Sequence, residues 1–160
     1  MGSCIIQSER KETMKNIENR TYEKDFYAWS IETADLLRQK RFEEIDLENI
    51  AEEIESMGKS NKRALNSHLA VLMAHLLKWQ FQPARRSKSW KLTIKHQRLQ
   101  AKKLLEESPS LKYQIEGKIS DAYEEAKIIA ASETGMEENF FPLACPFTLD
   151  NCLNNDFFPE

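Results

Sequence analysis

The chain has 160 residues, of which 41% are hydrophobic and 31% charged, with a formal net charge of −3. No run approaches the ~18 apolar residues of a transmembrane helix, and three cysteines (Cys4, Cys145, Cys152) without CxxC spacing supply neither a disulfide framework nor a zinc ligand set. Only four glycines and five prolines are present, which favours helix over a loop-rich β architecture.

Residues 1–20 are polar and poorly periodic, and a flexible N-terminal arm is expected there. They open on Met1-Gly2-Ser3-Cys4-Ile5-Ile6, which fails the myristoylation pattern at Ile6, and no basic region leads into an apolar run, so no secretory signal is expected. A first helix is predicted from Asp25, as cap, to Lys40, with Phe26, Trp29, Thr33, Leu36 and Leu37 at helical spacing. Asp46 caps a second, whose core stripe reads Leu47, Ile50, Ile54, Met57 and resumes in phase beyond Gly58 at Asn61, Leu65, His68, Leu72, His75 and Trp79. One helix over 46–81, roughly 54 Å long, is preferred to two, because a helical glycine costs only about 1 kcal/mol.

Pro83 ends that helix, and a basic loop over 82–88 leads to a third, predicted from Ser89 to Glu107. Its apolar stripe is Trp90, Ile94, Gln97, Ala101 and Leu104. Its basic stripe is Lys88, Lys91, Lys95, Arg98 and Lys102, whose alternating spacing keeps them on one side. Ser108 and Pro109 form the next joint, and a fourth helix is expected without interruption to Thr134, stopped by Gly135. From Met136 the chain turns aromatic and proline-rich, with a short helix capped by Thr148. Phe140, Phe141, Phe147, Phe157 and Phe158 are too apolar to hang in water, so this tail is expected to wrap the helices.

The charge is unevenly distributed. Residues 57–105 hold 12 Lys or Arg and no Asp or Glu; residues 1–56 hold 14 acids against 8 bases, and residues 106–160 hold 12 against 3. The basic segment 78–103 suggests nucleic-acid or anion binding through Arg85, Arg86, Lys88, Lys91, Lys95, Arg98 and Lys102, with Trp90 and Trp79 as stacking platforms. The competing expectation, which we prefer, is that these cations are spent on internal pairs with the acidic faces of the second and fourth helices. His68 and His75 lie on one face, and with Glu52, Glu53 or Glu55 they could form an acid–base pocket. Buried histidines bonded to neighbours are the commoner outcome. No HExxH or di-iron pattern accompanies them, so neither metal nor cofactor is expected.

The segments AEEIESMGKS, LMAHLLKWQFQPARRSKSW, SPSL, SETG and CPFTLDNCLNNDFFP, in this order over residues 22–159, resemble a bacterial, largely cyanobacterial, helical family defined as domain of unknown function twenty-nine. Phe147 and Phe158 stand where that family leads one to expect Trp. The resemblance implies a helical domain in a bacterial cytoplasm and no particular activity.

The expected fold is all-α: a four-helix antiparallel bundle with a C-terminal aromatic and proline strap over 136–160, forming a single domain over 21–160. No complete catalytic constellation is visible, and the question of an enzyme stays open. A protein-interaction or accessory module with an unknown protein partner and no membrane is the first expectation. Nucleic-acid binding through 78–103 is the second. An enzyme built on His68, His75, Glu52 and Glu55 is the third.

Overall fold

The computed structural model describes residues 22–160; the expected N-terminal arm and Cys4 lie outside the described residues. Among these residues the structure is helical, without a β-strand. The α-helices are α1 (Phe26–Arg38), α2 (Leu47–Phe81), α3 (Lys88–Glu107), α4 (Ser110–Glu116), α5 (Ile119–Thr134) and α6 (Leu149–Leu153). Single 3-10 turns stand at Phe42–Glu44, Pro83–Arg85 and Glu138–Phe140. The chain divides into two compact units, Met1–Met57 and Gly58–Glu160.

In the first unit, Asp25 caps α1 by accepting from the Ala28 amide at 2.9 Å, and Trp29, Thr33 and Ile45 are buried. Tyr22 and Phe26 pack on Trp29, with ring centroids 4.8 and 5.4 Å away, and the Tyr22 hydroxyl donates to Glu53. Asp46 takes its expected capping role, accepting from the Glu48 amide at 3.0 Å. The expected core stripe at the start of α2 is corrected: Leu47, Ile54 and Met57 are 57, 65 and 70% exposed. Helical spacing marks an apolar face but does not supply the surface that would cover it.

Helix α2 is a single 35-residue helix, as preferred from the sequence. In the second unit its run from Leu69 to Trp79 is buried almost all round, only Val71 keeping partial exposure. A helix apolar on every side belongs at the centre of a core. Leu65, Leu69, Leu72, Met73, Leu76 and Leu77 have no exposed surface, each contributing on the order of 1.5–3 kcal/mol. Packed with them are Ile94 and Ala101 of α3, Leu111 and Ile115 of α4, and Ala122, Tyr123, Ala126 and Ala130 of α5.

The expected fourth helix is corrected to two, broken at Gly117-Lys118. The Lys118 amide bonds Ile115 O at 2.9 Å, a tightened last turn, and glycine is the residue least costly to take out of a helix. Across the break the buried set widens, from Leu111 and Ile115 to the adjacent pairs Ala122–Tyr123 and Ala126–Lys127. Gly135 ends α5 as expected, at φ 72, where a side chain would be strained. In the tail, Phe141, Phe147, Leu149 and Cys152 join the core, and Thr148 caps α6 by accepting from the Asn151 amide while its own amide donates to Asn151 Oδ1. Phe140 departs from expectation and is exposed. The Tyr123 hydroxyl donates to Pro142 O at 2.7 Å, and burial pushes its pKa up to about 12.

Candidate functional site on helix α3

Ser87 starts α3 by accepting from the Trp90 amide at 3.2 Å. The helix buries Ile94, Arg98 and Ala101. Its solvent side carries the exposed Lys88, Lys95, His96 and Lys103, interleaved with Leu92 and Leu99, also exposed, while the exposed Lys91 stands at the edge, on the same face as Arg98. Arg85 and Arg86, in the turn before the helix, are exposed as well.

Ion pairing on this helix differs from the preferred expectation. Among the described residues, the basic stripe forms no salt bridge to α2 or α5. Lys103 reaches Glu107 in its own helix at 3.9 Å, and Lys102 donates to Asn155 Oδ1 at 3.1 Å. Lys91 and Arg86 stand over the Trp79 ring at 5.4 and 5.0 Å, and Arg86 Nε donates to Trp79 O at 2.8 Å. Lys78, counted with the basic segment, is buried. It pairs with Glu133 and lies 4.6 Å from the Trp90 ring centroid.

Arg98 belongs to the stripe by spacing but is only 1% exposed. Its Nε, Nη1 and Nη2 donate to the carbonyls of Cys152, Asn155 and Phe157 at 2.8, 3.1 and 2.6 Å. Burial lowers its pKa. A fork of donors meeting main-chain carbonyls is a geometry lysine cannot copy. Arg98 therefore holds the tail on α3 rather than facing solvent.

The two histidines are each engaged within the second unit. His68 Nδ1 donates to Gln97 Oε1 at 2.7 Å, and His75 Nδ1 donates to Val71 O at 2.9 Å. Burial holds the pKa of His75 below its ordinary value, which keeps the ring neutral at pH 7. Glu52 and Glu55 are exposed residues of the first unit. Among the described residues no three His, Cys, Asp or Glu side chains converge as a metal set. Cys145 and Cys152 are free thiols; burial pushes Cys152 up to about 12, far from a reactive thiolate.

The family described as Domain of unknown function DUF29 matches residues 21–158. The chain belongs to this family. Comparison with curated proteins and with solved structures gave no match. Within this DUF29 chain, charge spacing points to the basic residues on and just before α3, and the structure adds the exposed Leu92 and Leu99. Their signal was present in the sequence: two leucines seven apart on the face opposite Ile94 and Ala101. No helix among the described residues is long and apolar enough to cross a membrane.

Proposed function

We propose that the chain is a protein-interaction module that presents the outer side of α3 to an acidic, amphipathic partner segment. One observation carries this reading. Leu92 and Leu99, two helical turns apart, are 56 and 62% exposed, beside Lys88 and Lys95, which have no carboxylate partner among the described residues. An apolar pair at this spacing is what a partner helix takes as its anchor. Unpaired lysines around it steer an acidic partner and fix its register. A shallow groove of about 510 Å³, lined by Lys88, Ser89, Leu92, Thr93, His96 and Gln97, runs along the same side.

The test is a polarisation titration with a labelled helical peptide carrying leucines seven apart and glutamates around them. Leu92→Asp with Leu99→Asp should weaken binding by about tenfold or more, since each leucine buries on the order of 1.5–3 kcal/mol of apolar surface. Both positions are solvent-facing, so circular dichroism should be unchanged. Equal affinity in the double variant would refute the reading.

Nucleic-acid binding through 78–103 is the second reading, favoured by the exposure of Arg85, Arg86, Lys88, Lys91 and Lys95. It would rest on phosphate contacts, because Trp79 is buried and the Trp90 ring is already met by Lys78. An enzyme using His68, His75, Glu52 and Glu55 gains no support from the bonding of either histidine.

For the architecture, our reading remains a four-helix antiparallel bundle with α4 and α5 as one broken member, supported by the short joints at 82–87 and 108–109. Residues 136–160 act as its strap, supported by the three bonds from Arg98 and the one from Tyr123. The family match over 21–158 supports one domain over 21–160. The free thiols support a reducing, cytoplasmic setting.

A further inference from the structure

Beside the outer face of α3, and sharing Lys95 with it, the same helix forms a small cationic cleft with the C-terminal tail. The spacing of Lys91, Lys95 and Arg98 turns all three toward the segment of tail that follows α6. The cleft has a volume of about 360 Å³ and is lined by Lys91, Lys95, Arg98, Asn155 and Phe158. That lining contains three cations, one amide and one aromatic ring, and no carboxylate.

We infer that this cleft is a binding site for a small organic phosphate, a phosphomonoester whose apolar or planar body packs on Phe158. Three features carry the assignment. Arg98 brings a full positive charge to the floor of the cleft, and its hydrogen-bonding partners are the neutral carbonyls of Cys152, Asn155 and Phe157. A buried charge left without a counter-ion favours the arrival of one. Asp156, a carboxylate whose charge acts on Arg98, is exposed and outside the lining.

Lys91 and Lys95 stand one turn apart at the rim, exposed and without a carboxylate partner among the described residues. Two ammonium groups above a guanidinium suit the spread charge of a phosphate dianion better than a single carboxylate. Lys102, finally, orients the Asn155 side chain. It has only donors, so the Asn155 atom it meets at 3.1 Å must be the oxygen. The NH2 of Asn155 is then the end with donors to spare. Phe158 is itself held, between the Arg98 guanidinium at 5.3 Å and the Trp79 ring at 4.9 Å. The wall and floor are therefore fixed before a ligand arrives, which lowers the ordering cost of binding.

This inference does not depend on the interaction face, whose leucines lie outside the cleft. The experiment is calorimetric titration of the full chain with phenyl phosphate, inorganic phosphate and glutarate at constant ionic strength. Phenyl phosphate should bind more tightly than inorganic phosphate, and both more tightly than glutarate. Lys91→Met with Lys95→Met should weaken phenyl phosphate by about tenfold or more, while Lys112→Met, at an exposed position outside the cleft, leaves it unchanged. Amide shifts on binding should fall at residues 91–98 and 155–158 in a two-dimensional NMR spectrum. Equal affinity in the double-lysine variant, or glutarate binding as tightly as phenyl phosphate, would overturn the assignment. So would a 5′-phosphorylated oligonucleotide binding far more tightly than phenyl phosphate, because the source of the phosphate would then be a nucleic-acid end.

Discussion

Arg98 ties two distant parts of the chain through charge-assisted hydrogen bonds to three carbonyls. Removing it strands those carbonyls at a buried position, so Arg98→Met should cost about 3 kcal/mol in urea denaturation. Arg98→Lys should recover only part of this, because an ammonium cannot reproduce the fork. Spacing placed Arg98 among the solvent-facing lysines, and nothing local could have removed it. Its partners are main-chain atoms 54 to 59 residues away, and main-chain acceptors leave no trace in a sequence. His75 allows a second test at this scale. Its folded pKa lies below the ordinary 6.5 because the ring is buried. The unfolded chain therefore takes up the proton first. Stability from this group is complete above pH 6.5 and is lost as pH falls below it, until the folded form also protonates. Between pH 7 and 5 the melting temperature of the native chain should fall more steeply than that of His75→Gln. Parallel curves would contradict the buried neutral ring.

At the scale of elements, the three glycines of the described residues behave differently, and the differences have separate causes. Gly58 lies inside α2 with open space where a Cβ would stand. Gly58→Ala should therefore stabilise the chain by roughly 0.5–1 kcal/mol. Gly135 sits at φ 72, and Gly135→Ala should destabilise by about 1 kcal/mol. Denaturant midpoints moving in opposite directions would check both. The long helix was legible because its apolar stripe continues in phase across Gly58. The break at Gly117 was not, because Leu111, Ile115 and Ala122 also fit one uninterrupted stripe. What decided it was the burial of Tyr123 and Lys127, a tertiary fact. The exposed Leu47, Ile54 and Met57 make the same point from the other side: periodicity finds a face, and packing decides whether it is covered.

For the whole molecule, the division of charge was legible at once, and so was the basic side of α3. Whether its cations met carboxylates was not, since that depends on how faces rotate rather than on their composition. The tail was legible as apolar, and Phe141 and Phe147 are buried accordingly. Deleting residues 140–160 should lower the melting temperature severely, each buried Phe contributing on the order of 1.5–3 kcal/mol. A truncated chain melting with the full chain would remove the strap from the account.

On our proposal, α3 offers an apolar and basic face to an acidic protein segment rather than a row of charges to nucleic acid. This is tested most directly by titrating the full chain, at two salt concentrations, with the acidic leucine peptide and with a single-stranded oligonucleotide. The peptide should bind with shallow salt dependence and be lost in Leu92→Asp with Leu99→Asp, while the oligonucleotide should bind weakly. Contradiction would be an oligonucleotide bound tightly with a log–log salt slope near −3.5, as neutralising ~5 phosphates requires, together with no binding of the peptide.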